Sequence, residues 1–152
     1  MAVHARQQVI SAVAAALRGL PTTGDNVFES RTQVLDDSKL PAVQVYGRDE
    51  RSTWGGMGDN LSRPVERELR LWIVGSVRVA LIEPDTKLND ICAEVEAALA
   101  ASNDLGGLVM DLGLVSTQFE VPSDPADKRA GRVGMTWRCV LTTPAGTPTV
   151  FA

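Results

Sequence analysis

Groups that could do chemistry are few in this chain and poorly grouped. His4 is the only histidine and lies near the start of an amphipathic stretch, where an exposed terminal side chain is expected. A general base needs a fixed partner within hydrogen-bond reach, and no second histidine or clustered cysteine completes a zinc set. Cys92 and Cys139 fall at apolar-facing positions of a helical and a strand pattern, which points to buried structural thiols. No G-x-S-x-G surrounds a serine. Gly55-Gly56-Met57-Gly58 has the glycines of a phosphate loop without its Lys-Ser/Thr ending, and it opens no helix. The loop acids Asp36, Asp37, Asp49, Glu50, Asp124 and Asp127 could take a divalent cation, but solvated loop acids normally stay ionised and unremarkable. The expectation is no catalytic residue, no cofactor, no metal and no enzymatic activity.

A different chemistry stands out between Arg48 and Arg63, RDERSTWGGMGDNLSR. Arginines, acids, glycines and Trp54 mix there in a connection too long for an ordinary loop. Arg48, Arg51, Arg63, Arg67 and Arg70 gather near one hairpin tip, with Trp54 as an aromatic anchor. A nucleic-acid surface would need net positive field, and Asp49, Glu50, Asp59, Glu66 and Glu68 offset it. Mixed charge around an aromatic suits protein docking better. The arm is expected to be poorly ordered until a partner meets it. A second polar connection, Pro122 to Gly131, supplies Asp124, Asp127, Lys128 and Arg129 as further contact candidates, each competing with a plain solvated turn.

The elements that must position these groups can be read from periodicity. Val9, Val13 and Leu17 with Ile10 and Ala14 make a helix over Val3–Leu20, ended by Gly19 and Pro21. Val27–Val34 and Leu40–Tyr46 are strands. Val65–Val77 alternates most clearly, with Leu69, Leu71, Ile73 and Val77 on one side. Thirteen extended residues reach about 43 Å, across the whole of a domain just under ~40 Å wide. Trp72 and Val74 make the middle of its second face apolar, as either a second packed layer or a partner surface. Pro84 to Ala101 is a second helix, buried through Leu88, Ile91, Cys92, Val95 and Leu99, with Asp85 in its first turn. Leu112–Val121 and Arg132–Thr143 close the sheet, with Val115, Thr117, Phe119 and Val121 sharing one face of the former. The expected fold class is α+β: one domain, mainly antiparallel sheet, two amphipathic helices on one face, order α-β-β-β-α-β-β, and a long projecting hairpin arm. Residues 1–143 form the domain and 144–152 a flexible tail.

Composition adds bounds. Hydrophobic residues are 44% and charged residues 22%, ordinary for a globular chain, and the net charge of −4 does not attract polyanions. Of the fifteen basic residues only Lys39, Lys87 and Lys128 are lysine. The arginine bias fits interfaces and fits a GC-rich genome equally well. No signal segment or membrane-length apolar run is evident, so a cytoplasmic, non-membrane protein is expected.

The order of these segments resembles the tail terminator, or tail-completion, proteins of long-tailed phages, the minor tail protein U-like group. The likeness runs from the helix with Arg6, Val9, Ile10 and Val13, through Val27-x-x-x-Arg31 and Leu40-Pro41-Ala42-Val43-x-Val45. It continues over the arm, the Arg70-bearing strand and the Leu88–Leu99 helix to the Leu114–Val121 and Val133–Thr143 pair. It covers about Val3 to Thr143, and its specificity lies in order and spacing rather than in any one phrase. The resemblance implies a homo-oligomeric ring, a hexamer, on the head-proximal end of the tail tube, touching tail tube protein and head–tail connector. It also implies location in the virion tail after assembly in the host cytoplasm, and no catalytic residues. Another neck or head–tail joining subunit is the alternative of the same class; a nucleic-acid-binding accessory domain is the alternative of another.

Overall fold

The computed structural model describes residues 2–30, 32, 35–56, 61–78, 84–120 and 130–151. Helix α1 (Ala5–Leu17) is followed by β1 (Val27–Phe28), β2 (Ala42–Trp54), β3 (Pro64–Arg78), α2 (Pro84–Ala101), β4 (Asp111–Glu120) and β5 (Ala130–Pro144), with one 3-10 turn at Asp37–Lys39. The order is the expected α-β-β-β-α-β-β. The five strands make one sheet in the order β1-β2-β3-β5-β4, antiparallel throughout except for β1, which runs parallel to β2. The spine is the β3–β5 ladder, paired from Pro64↔Pro144 to Arg78↔Ala130.

Both helices form where the apolar spacing demands. Val9, Val13 and Leu17 of α1 and Leu88, Ile91, Val95 and Leu99 of α2 are buried against Val43, Val45, Leu69, Leu71, Ile73, Met135, Trp137 and Cys139 of the sheet. Each fully buried Leu or Ile contributes about 1.5–3 kcal/mol relative to exposure. Close approach of α2 needs glycine: a Cβ on Gly75 would stand 3.0 Å from Ile91 Cγ2 and 3.1 Å from Val133 Cγ1. The turn after α1 is fastened to α2 by Glu94, which accepts from Thr22 N–H at 2.7 Å and from its hydroxyl at 2.5 Å. Both cysteines are buried and free. Burial pushes the Cys139 thiol up to about 12 and also raises that of Cys92.

Four sequence expectations change. The arm is not one long connection: Arg48–Trp54 belongs to β2 and pairs with β3 as far as Trp54↔Val65, leaving residues 55–63 as the join. Its polar residues obscure the strand, which forms because β3 offers a paired edge along this whole length. In the first closing strand, a bulge between Leu114 and Ser116 takes Val115 out of phase with Thr117 and Phe119. β1 is short, and Arg31, Gln33 and Val34 of its expected extension lie outside the described residues. The C-terminal segment is held rather than loose. Ala5 N–H donates to Pro148 O at 2.8 Å, Gln8 Nε2 to Thr149 O at 2.9 Å, and Gly146 N–H to Leu61 O at 2.7 Å, while Phe151 packs on the core.

Candidate protein-interaction surface

A bulge in β2, between Gly47 and Asp49, sets the geometry of the candidate residues. It places Arg48 and Asp49 together on the face turned away from the helices, where a regular strand would alternate them. Arg48 lays its guanidinium over the Trp72 ring, 5.3 Å from the centroid, and Trp72 in turn meets Tyr46 at 5.8 Å. Trp72 also lies on Gly134, where any Cβ would collide with its Nε1. Asp49 accepts two bonds from Arg70, Nε at 2.7 Å and Nη2 at 2.6 Å. This fork holds the Asp49 carboxyl below the usual carboxylate range.

Arg70 stands directly across from Arg138 of β5. Like charges opposed across strands repel, so each needs an acid. Asp49 serves Arg70; Glu68 and Asp111 serve Arg138 at 3.1 and 3.2 Å. The result is a row of ion pairs over β2, β3, β5 and β4, around a depression of ≈ 360 Å³ that Arg51, Glu68, Arg70, Val115 and Arg138 help to line. Arg51 pairs in register with Glu68, is exposed, and makes no ion pair among the described residues.

Across the bulge, Glu50 turns to the helix side instead. Its Oε2 meets Arg67 at 3.0 Å and Arg6 at 3.3 Å, and Arg67 Nε donates to the buried Thr143 hydroxyl at 2.9 Å. The Arg67 side chain is only 13% exposed. Arg67 therefore leaves the list of contact candidates: it neutralises a buried carboxylate, and removing one partner of such a pair typically costs about 3–5 kcal/mol. Glu50 Oε1 is buried without a partner among the described residues, beside a cleft of ≈ 460 Å³ bounded by His4, Arg6, Ile10, Gly47 and Leu69.

At the end of the β2–β3 hairpin, Trp54 is 57% exposed and Leu61 71%. Arg63 sits over the Trp54 ring at 5.3 Å, with its Nε buried and without a hydrogen-bond partner among the described residues. Ala145 N–H donates to Arg63 O at 2.9 Å, so the residue just after β5 props the end of the join. Arg48, Arg51, Trp54, Arg63 and Arg70 thus lie along one hairpin, with only Trp54 and Arg63 at its end. Asp124, Asp127, Lys128 and Arg129 lie outside the described residues.

Arg138, Asp111, Glu50 and Arg6 also belong to these networks. Arg138 escapes a reading of the sequence because it is some seventy residues from its partner Glu68. The available signal was its phase: it interrupts Trp137 and Cys139, which face the core, and so lies on the face of Arg70. Among the described residues no cluster of His, Cys, Asp or Glu could hold a metal ion, and no described helix is long and apolar enough to cross a membrane.

No family model matches the chain, and no curated protein matches it in sequence. Among solved structures it is similar to a chain of the "Virion of native gene transfer agent (GTA) particle", at 16% identity, with 92% of each chain covered and a TM-score of 0.38.

Proposed function

We propose that this chain is a non-enzymatic virion assembly protein of the tail terminator type. Copies close a ring, a hexamer, on the head-proximal end of the tail tube; the ring stops polymerisation and gives the head connector its docking surface. Assembly takes place in the host cytoplasm, and the working location is the virion tail. The observation that carries the reading is the hairpin tip. A large aromatic, Trp54, is left more than half exposed while an arginine braces its face and a rigid three-strand ladder stands behind it. Such a rigid aromatic with an arginine beside it is the usual composition of an interface anchor. Farther along the hairpin and its neighbour β5, Arg67, Arg70 and Arg138 are each paired with a carboxylate, which favours a protein partner over a polyanion.

Trp54→Ala tests this. An exposed side chain contributes little to the fold, so thermal unfolding stays within about ±0.5 kcal/mol of wild type. Binding to purified tail tubes, or tail-length control in a complementation assay, falls by about thirtyfold or more, the loss typical of an anchor residue. A Trp54→Ala protein that caps tubes as wild type does would overturn the assignment.

A further inference from the structure

Among the described residues, the large apolar side chains that stay exposed fall into two sets. Met110, Leu114, Val115 and Phe119 belong to β4 or its approach. Val3, Trp54, Leu61 and Val150 are scattered along the sequence, and hydrogen bonds bring them to one end of the molecule, where β2 and β5 finish and β3 begins. Gly146 N–H donates to Leu61 O, and Ala145 N–H to the carbonyl of Arg63, whose guanidinium lies over Trp54. The chain then turns. Val150 N–H donates to Thr147 O at 3.1 Å, which keeps the α-carbons of Gly146 and Val150 within about 11 Å. Gln8 Nε2 donates to both Thr149 O and Val3 O, at 2.9 and 2.8 Å, so the backbones of Val3 and Val150 are neighbours.

A single exposed valine is ordinary, but a strip of four large apolar residues drawn from separate segments marks a docking surface. All four are at least half exposed. The strip is also preformed: the bonds just named fix its backbone, and Phe151 packs on the core. Gly146 sits so close to the join that a Cβ there would stand 3.0 Å from Leu61 O. A surface held in this way loses little conformational freedom when a partner meets it. Its charge is one-sided. The chain carries −4 overall, yet residues 2–8, 61–64 and 143–151 contain no Asp or Glu. Arg63 borders Trp54, and Arg6, although paired with Glu50, is still 41% exposed. Apolar side chains with guanidiniums at their margin match a protein face that is apolar in the middle and carries carboxylates at its rim.

From this we infer that Trp54, Leu61, Val150 and Val3 form one docking strip for an apolar, carboxylate-rimmed protein face, which on the reading above is the end of the tail tube. The strip continues from the Trp54 anchor without a break, so a partner that covers the hairpin tip also covers the C-terminal segment and the start of α1. The inference rests on the tail terminator reading and extends its contact beyond the hairpin.

Leu61→Glu and Val150→Glu each place a carboxylate on the strip. Phe119→Glu is the control: Phe119 is an exposed apolar residue of β4 that pairs with Val133, more than ~30 Å along β5 from Pro144. All three positions are exposed, and circular dichroism melting confirms that each variant folds. Binding to purified tail tubes should weaken about tenfold or more for both strip variants and stay at the wild-type level for Phe119→Glu. Val150→Lys should lose less than Val150→Glu, because carboxylates at the partner's rim repel only the latter. Strip variants that bind as wild type does while Trp54→Ala is defective overturn the strip and leave the terminator reading standing. Normal binding by Trp54→Ala as well removes both. Strip variants that lose self-association in sedimentation but keep tube binding assign the strip to a second copy of the chain, and that too overturns the inference.

Discussion

His4 shows how one side chain can take a role its sequence position hides. Its Nδ1 accepts the Arg6 backbone N–H at 3.0 Å and caps α1. Accepting there requires the neutral ring with its proton on Nε2. Partial burial, then the guanidiniums of Arg6 and Arg67, hold the His4 pKa below its ordinary value, against a smaller opposing pull from Glu50. A base depressed in the folded state is protonated more readily in the unfolded chain. Its contribution is therefore complete above about pH 6.5 and declines as pH falls from there to the folded value. His4→Ala should lose about 1 kcal/mol of stability in urea unfolding at pH 8. The same substitution should lose clearly less at pH 5, where wild type has itself begun to lose the cap. His4→Asn, which caps without titrating, should hold its stability between those two pH values better than wild type. Equal losses for His4→Ala at both pH values would remove the cap from the explanation. The Asp49 fork acts in a lower window: its contribution stands above the ordinary carboxylate pKa, near 3.9, and goes as pH falls through the depressed folded value.

Between elements, the seat of α2 on the sheet makes a close geometric demand at Gly75. Gly75→Ala would press a methyl into Ile91 and Val133, both in the packed core, and should cost about 1–3 kcal/mol. Gly113→Ala on β4 meets nothing within 4 Å and serves as the control, with no loss expected. In a domain of this length the first substitution should lower Tm by about 2–12 °C, at about 2–4 °C per kcal/mol, in calorimetry. This part of the fold was legible. The phase of Leu69, Leu71, Ile73 and Val77 and the stripes of both helices follow from burial on one side, which sequence records directly. The Arg48–Trp54 half of β2 was not, because hydrogen bonding to β3 and cross-strand ion pairs stabilise it rather than apolar alternation. Nor were the bulges at Arg48 and Val115, since a one-residue change of phase leaves no compositional mark. The candidate surface divides the same way. Arg48, Arg51, Trp54 and Arg63 could be grouped by proximity along the chain, whereas the burial of Arg67 and the place of Arg138 depend on which strands become neighbours.

For the molecule as a whole, the apolar core and the proposed assembly contact should respond differently to salt. The core is a continuous set of buried aliphatic and aromatic side chains, and the partly buried ion cluster around Glu50 is shielded from mobile ions. The proposed assembly surface combines the exposed side chains of Trp54 and Leu61 with the exposed cations Arg48 and Arg51, all solvent-accessible before association. Raising ionic strength from about 0.1 M to about 1 M shortens the screening length from ~10 Å to ~3 Å. Exposed charge pairs are individually weak, so the concentration at half-assembly should rise a few-fold and by no more than about tenfold. The monomer's Tm should stay nearly constant. An overall charge of −4 pushes the other way, since screening relieves repulsion between like copies. A half-assembly point that rises with salt therefore means that local complementarity outweighs the global term. One that falls with salt means that apolar area and relief of net repulsion dominate, and charge matching at this surface is then not what selects the neighbour.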